Sequence, residues 1–338
     1  MLTSSLALMG GRLNLEAAMQ FWQLALAKFA QAVAPASIFH WSYLLSAYGL
    51  ALAWLIGQER YKLTQAWALI HARKTWISRS SRLDLMLTLG FLLVLAEPIA
   101  ALEQRAFLAS LARVGNTLSQ IYPAALTVNA SPLIEAILAT LAAMLAIDLS
   151  SYLVHRALHR VPWLWRLHAV HHSATALTPL TTYRQHPLEP VLLNTGRGIG
   201  AGVGLALFYT VFPQHTAVIT ISGLGAGFFV YMFTVNLHHA PVPLRYPTWL
   251  RLGLISPHVH HLHHSAAARH AACNYGVVFS FWDRLLKTYL DEAPTPGELC
   301  FGLGAHDPFN HSLVRSLTWP MGLGALPTAA AAHARGRR

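Results

Sequence analysis

The chain has 338 residues, of which 54% are hydrophobic and only 11% charged, and its mean hydropathy is +0.42. A soluble domain carries about 25% charged residues, so this composition excludes an ordinary water-facing globule and points to a membrane bundle folded as one unit. The formal net charge of +11 comes from basic residues flanking apolar stretches, not from a stripe interleaved with aromatics, which favours a positive-inside bias over a nucleic-acid surface.

Met1 to Gly10 are apolar but lack a basic lead and run into Arg12 and Glu16, so no secretory signal is expected and targeting falls to the membrane helices themselves. Residues 14–33 place apolar groups on one stripe, as an interfacial helix or an amphipathic cap would. Apolar stretches at 42–56, 83–102 and 132–153 then approach the ~20 residues that cross a bilayer, the second interrupted by Glu97-Pro98. A long apolar region from Val191 to Val235, split at Pro213, Gln214 and His215, predicts a helical hairpin.

Loop charge sets the expected orientation. Gln58 to Arg82 holds Arg60, Lys62, Arg73, Lys74, Arg79 and Arg82, whereas the connection after the second stretch holds Arg105 and Arg113, so the first loop is expected in the cytoplasm. The 132–153 stretch then exits to the cytoplasm at His155, and the hairpin returns there before His238. The division expected is an N-terminal membrane region 1–131, a catalytic domain 132–290, and a flexible Gly/Pro/Ala-rich tail 291–338. The expected fold is an all-α integral membrane protein of about four transmembrane helices with a cytosolic, histidine-rich helical cap holding a di-metal site.

Fifteen of the twenty histidines fall between His155 and His270. They form the clusters H-R-x-x-H (His155, His159), H-x-x-H-H (His168, His171, His172) and H-x-x-H-H (His260, His263, His264). Neutral imidazole is the commonest ligand for borderline transition metals, and one ion takes three to five, so this number points to two. Positions i, i+3 and i+4 share a helix face, whereas adjacent residues diverge by ~100°. The pairs His171/His172 and His263/His264 are therefore placed to reach different ions. A structural zinc site normally uses four ligands with cysteine prominent, and this chain has only Cys273 and Cys300, which also make a disulfide framework unexpected. The isolated His40, His71, His215, His306, His311 and His333 read as ordinary polar residues.

The runs Asp148-Leu-Ser-Ser-Tyr152-Leu-Val-His155-Arg156-Ala-Leu-His159 and Leu164-Trp165-Arg166-Leu167-His168-Ala-Val-His171-His172-Ser173 resemble the fatty acid hydroxylase/sterol desaturase superfamily. Thr182-Tyr-Arg184-Gln-His186-Pro187-Leu-Glu189, His239, Ser256-Pro257, Asn274-Tyr275-Gly276 and Trp282-Asp283-Arg284 extend the likeness in order over about 140–290. The resemblance implies two iron ions, dioxygen as co-substrate, electrons from a separate donor protein, and hydroxylation or desaturation of a lipid drawn from the bilayer. It implies the eight clustered histidines as ligands, with His239 a ninth and His238 its alternative; His186 is either a ligand or a donor supporting one. His258, His261 and His270 read as extras behind the ligands or at the surface.

Asp148, two turns before His155, and Glu189 are expected to support ligand histidines, or else to pair with Arg156 and Arg184 respectively. Arg184 is the third supporting candidate. Two departures stand out: Leu286-Lys287-Thr288 where the family has Phe-Gly-Thr, and Pro241 where it often has Asn. The Gly-rich segment Gly196 to Gly204 is expected to let helices approach closely. The non-enzymatic alternative is a metal transporter or metal-binding membrane protein, though transporters place their ligands near mid-bilayer.

Overall fold

In a computed structural model the described residues are 40–122, 128, 130–212, 217–221, 224–293, 299–304 and 307–322, with 20, 23, 26–28 and 30. The architecture is helical, with one minimal antiparallel pair, Thr220–Ile221 with Leu224–Gly225, as β-structure among the described residues. Most of the N-terminal amphipathic stretch, residues 213–216 of the hairpin and residues 323–338 of the tail lie outside the described residues.

Helix α1 (Trp41–Gly57) and the short α2 (Leu63–Ile70) pack their buried alanines and Leu55 against Leu237, Val242 and Leu244. Helix α3 runs Arg79–Ile121. Its N-cap Ser78 accepts from Ser81 N at 3.0 Å, which satisfies one of the free first-turn amides. Glu97-Pro98 does not end it. A π-turn at Phe91–Leu95 precedes the proline and relieves the missing N–H and ring clash that Pro98 would impose on a regular helix. Arg105 and Arg113, expected in a connecting loop, are therefore helical, and 43 residues make about 65 Å of helix, twice a bilayer's hydrocarbon core.

Helix α4 (Pro132–Arg160) starts at N-cap Ser131 with proline in its first turn and carries Asp148, His155 and His159. Pro162 holds Val161 in extended backbone, so the chain turns there and begins α5 (Pro162–His172). Helix α6 (Leu188–Val211) leads away from the histidines, and α7 (Ala226–His238) returns to them. The second arm is only 13 residues, and the two arms do not pack as a hairpin: α6 packs on α3 and α4, whereas α7 packs on α1, α4 and the segment that carries the last cluster. Helix α8 (Pro257–His264), capped by Ser256, carries the last cluster.

Among the described residues three helices, α3, α4 and α6, are long and apolar enough to cross a membrane. Their apolar windows are only 17–22% buried within the fold, and Leu93, Val94, Leu133, Ile137 and Leu141 face outward, as side chains solvated by lipid would. The expected count of about four is not reached by the described helices: α1 and α7 fall short of the ~20 residues needed.

Helix α6 fits between α3 and α4 through its glycines. A Cβ at Gly196 would meet Val154 Cγ2 at 2.7 Å, and one at Gly200 would meet Ala146 O at 2.6 Å, both on α4. One at Gly202 would meet Phe107 O at 2.5 Å, and one at Gly198 would strike Glu103 O, both on α3. Alternate glycines thus serve alternate neighbours, two small-xxx-small ridges interleaved on one helix.

The tail departs from expectation. Residues 299–304 and 307–322 pack over the histidine-bearing cap: Phe309 and Trp319 join Leu83, Leu87, Trp165 and Val170 in one apolar cluster, and Ala266 N donates to Cys300 O. Arg166 donates to Trp319 O at 2.8 Å and its guanidinium covers the Trp319 ring. The aromatic residues needed for this docking are few, and the surrounding glycine, proline and alanine masked them in the sequence.

Candidate metal centre

The three clusters and His239 converge as two groups of buried imidazoles. One comprises His155, His159, His168, His172 and His263; the other comprises His171, His239, His260 and His264; in each, one ligand atom per residue lies within 4.8 Å of every other. Each adjacent pair is split: His172 and His263 face the first group, His171 and His264 the second. The ~100° step of the α-helix lets α5 and α8 each serve both groups, while His155 and His159, four apart on α4, face one. The groups touch, with His172 stacked on His264 at 4.5 Å between ring centroids.

The rings are aimed from behind. His155 Nδ1 donates to Tyr275 O at 2.9 Å, His263 Nδ1 to Cys273 O at 2.8 Å, and His168 Nδ1 to Glu189 Oε1 at 2.8 Å. Thr182 Oγ1 lies 3.1 Å from His239 Nδ1. The two carbonyls and the carboxylate put the proton on Nδ1 of His155, His263 and His168 and leave their Nε2 lone pairs pointing inward.

These lone pairs face one another. His155 and His168 Nε2 are 3.1 Å apart, and Nε2 of His239, His260 and His264 form a triangle with edges of 3.1, 3.1 and 3.2 Å. Nitrogen ligands at about 2.1 Å from a common ion stand about 3.0–3.4 Å apart between octahedral and tetrahedral angles. His171 Nδ1 and His172 Nε2 are buried with no hydrogen-bond partner among the described residues. Lone pairs so arranged repel unless a cation lies among them, so the donor set fits a metal in each group.

Electrostatics favours the neutral, ligand-competent rings. Burial pushes His171 down to about 3, and burial followed by neighbouring histidines holds His172, His239, His260 and His264 well below the ordinary histidine range.

The Tyr275 and Cys273 carbonyls are themselves held in place. Asn274 adopts φ +57°, which asparagine tolerates better than most residues, while its amide donates to Val259 O and Leu290 O and accepts from Leu290 N. Asp283 accepts from Tyr275 N, Gly276 N and Thr288 Oγ1 at 2.7–2.8 Å, and Thr288 Oγ1 also meets Tyr152 OH on α4. Lys287, where the family has glycine, takes φ +57°. The departure keeps the left-handed turn and strains it.

Several expected roles come out differently. Asp148 does not hold a histidine and does not pair with Arg156: it accepts from Val278 N, Phe279 N and Trp282 Nε1, tying α4 to the loop after Tyr275. Glu189 supports His168 and leaves Arg184 to Asp84, 2.7 Å away on α3. Arg184 also donates to Val170 O, Ser173 Oγ and Ser80 O, fastening the end of α5. His186 is not brought into either group. Its Nε2 donates to Leu317 O and its Nδ1 accepts from Leu188 N, which uses both nitrogens to dock the C-terminal segment. His238 stands outside the groups, bonded to the Ile255 backbone and stacked on His260. His258, His261 and His270 are buried and bond to Glu292 O, Ala240 O and the Glu292 carboxylate respectively. His311, expected to be a surface residue, reaches Arg184 Nη2 at 3.2 Å. Cys273 and Cys300 are unpaired with each other.

A cavity of about 200 Å³ opens beside the groups, lined on one side by His155, His168, His171, His239 and His260 and on the other by Phe91, Leu193, Tyr231 and Val235.

Residues 140–288 match the family model described as fatty acid hydroxylase. The chain is 30% identical over 152 residues to the ornithine lipid hydroxylase OlsE of Rhizobium tropici, covering 45% of this chain and 41% of that one. It is 29% identical over 142 residues to the Delta(7)-sterol 5(6)-desaturase erg3B of Aspergillus fumigatus (42% and 36%). It is 28% identical over 180 residues to the cholesterol 25-hydroxylase of Mus musculus (53% and 55%). The match thus spans about a third to a half of each of these relatives, and no solved structure matches the chain significantly. The matched segment carries all nine converging histidines together with the carbonyls and carboxylates that aim them, and over it the chain is similar to the fatty acid hydroxylase family.

Proposed function

We propose that this chain is a di-iron, O2-dependent oxidoreductase that hydroxylates or desaturates a C–H bond of a membrane lipid. The observation that carries the reading is the pair of touching all-imidazole groups, five and four strong, opening onto a cavity between membrane helices. Five nitrogens exceed what a closed structural zinc site uses, and the scarcity of thiolate disfavours zinc and copper(I). The printed functions of the relatives, lipid hydroxylases and a sterol desaturase, support oxidation of lipid, and none supports the transporter alternative.

Two bound irons, with O2 and two electrons, would supply an oxidant strong enough to remove hydrogen from an unactivated C–H bond. The protein's share is positional. Tyr275 O, Cys273 O and Glu189 fix the tautomers of their rings, Thr182 holds the His239 ring in place, and Phe91, Leu193 and Val235 present an apolar wall that excludes water and leaves room for an alkyl segment. Hydroxylation consumes O2, two electrons and two protons, and yields the alcohol and water. The electrons would come from a separate donor protein, as the resemblance to the family implies. The basic 58–82 loop supports a cytoplasmic position for that encounter and for the metal centre.

The test is metal analysis of purified protein together with lipid profiling of cells expressing the wild type or His263→Ala. Two irons per chain and an oxidised lipid lost in the variant are expected. Stoichiometric zinc with identical lipid profiles would refute the reading.

A further inference from the structure

A second cavity, of about 250 Å³, lies deeper among the helices, walled by Ala143, Met144, Ile147 and Phe279, with the Asp148 and Glu103 carboxylates also lining it. It shares Ser151, Arg197 and Tyr231 with the cavity at the histidines. Arg197, near the middle of α6, is thus the partition between the two. An ionisable residue inside a membrane helix is costly and calls for a reason. Here the packing explains its position but not its chemistry. Its guanidinium lies over the Tyr231 ring at 4.4 Å and 3.7 Å from Glu103 Oε1, too far for a direct hydrogen bond. Its Nε is buried and has no acceptor among the described residues. About a fifth of the side chain, 19%, remains accessible, and it lines both cavities.

We propose that Arg197 and Glu103 form the subsite for the polar end of the substrate, and that the substrate is a neutral lipid alcohol. The inference rests on the lipid-oxidation reading. Asp148 also faces the deeper cavity, its carboxylate taken up by Val278 N, Phe279 N and Trp282 Nε1, so one guanidinium meets two carboxylates and an anionic headgroup would add to an uncompensated negative charge in a low-dielectric site. A hydroxyl is both acceptor and donor: it can accept from the open guanidinium and donate to the Glu103 carboxylate, completing a pair too widely spaced to complete itself. Neither cavity alone reaches the ~300–1,000 Å³ of typical ligand sites, but the two together do, and the long Arg197 side chain is the element whose movement would join them. With the hydroxyl held here, the apolar chain of the lipid runs toward the histidines.

The experiment measures binding, not turnover. Purified metal-loaded protein in nanodiscs is titrated with radiolabelled 1-hexadecanol, with hexadecanoate and hexadecane as competitors. Expected are saturable binding of hexadecanol, competition by hexadecanoate at least tenfold weaker, and none by hexadecane. Glu103→Gln should weaken hexadecanol at least fivefold and narrow its advantage over hexadecanoate, because the site loses the carboxylate that both accepts from the alcohol and repels an anion. Arg197→Met should abolish the discrimination among all three. Iron content and thermal stability of Glu103→Gln, a near-isosteric change, should match the wild type, so that variant carries the test should Arg197→Met fail to fold. Tighter binding of hexadecanoate than hexadecanol by the wild type, or unchanged preference in Glu103→Gln, would overturn the proposal. Failure of the oxidation reading looks different: intact hexadecanol selectivity in a protein that forms no oxidised lipid.

Discussion

Replacing Arg184 by methionine tests whether the histidine helix α5 is held from outside the metal centre. The Arg184 and Asp84 side chains are both fully buried and lie 2.7 Å apart. The same guanidinium donates to Val170 O at 2.9 Å, Ser80 O at 3.0 Å and Ser173 Oγ at 2.8 Å. Methionine fills much of the volume but strands the Asp84 carboxylate, which keeps only the Thr181 hydroxyl among these partners, and removes one donor each from the Val170 and Ser80 carbonyls. Breaking a buried pair by removing one partner costs about 3–5 kcal/mol, a large share of the ~5–15 kcal/mol that holds a typical domain. The assay is unfolding in mixed micelles of rising SDS fraction, followed by tryptophan fluorescence, with metal content measured before denaturation. Arg184→Met should lose about 3–5 kcal/mol and part of both metals, since Val170 and Ser173 bracket His171 and His172. Arg184→Met/Asp84→Asn, which removes the stranded charge, should recover about 1–3 kcal/mol of this. A single variant within about 1 kcal/mol of wild type, or a double variant no better than the single, would refute the argument that this pair fixes α5.

The divergence of the histidine doublets predicts that His172→Ala and His171→Ala each lower metal content to about one ion per chain, with different Mössbauer signatures; identical signatures would contradict the partition. Lys287→Gly should stabilise the protein by up to about 1 kcal/mol by relieving the left-handed backbone, part of the gain being offset by unfolded-state entropy; SDS unfolding would read either sign. Gly202→Ala should destabilise by about 1–3 kcal/mol because its Cβ would press on Phe107 O at 2.5 Å, whereas Gly115→Ala, with open space around it, should be neutral or better in the same assay. Metal-free protein should hold its stability above pH 6.5 and lose it as the pH falls toward 3. The buried histidines take up protons only in the unfolded chain over that window, His171 and His261 being held near 3. At pH 5.5 each such ring contributes about 1.4 kcal/mol to the loss, and a flat stability profile from pH 7 to 5 would count against it.

What the sequence made legible was whatever depends on helical period and covalent spacing. The i, i+4 step of His155 and His159 and the divergence of two His-His pairs follow from 3.6 residues per turn, so the split into two groups could be read before any packing was known. The glycine ridge of α6 was equally visible, though not that its alternate members face different neighbours. What could not be read were partnerships decided by distant chain segments. Asp148 shares the helical face of His155, yet the loop at Val278 and Phe279 reaches it first with two backbone amides. Arg184 and Glu189, five residues apart, looked like partners, but η-type turn geometry at Pro179–Tyr183 sends one toward α3 and the other toward His168. The acceptors that aim His155 and His263 are main-chain carbonyls, which no side-chain pattern announces; the only trace was Asn274, a residue type suited to the left-handed backbone that turns those carbonyls inward. A metal centre of this kind is thus written twice: its ligands in a local periodic code, and its supports in long-range contacts that exist only once the chain has closed around them.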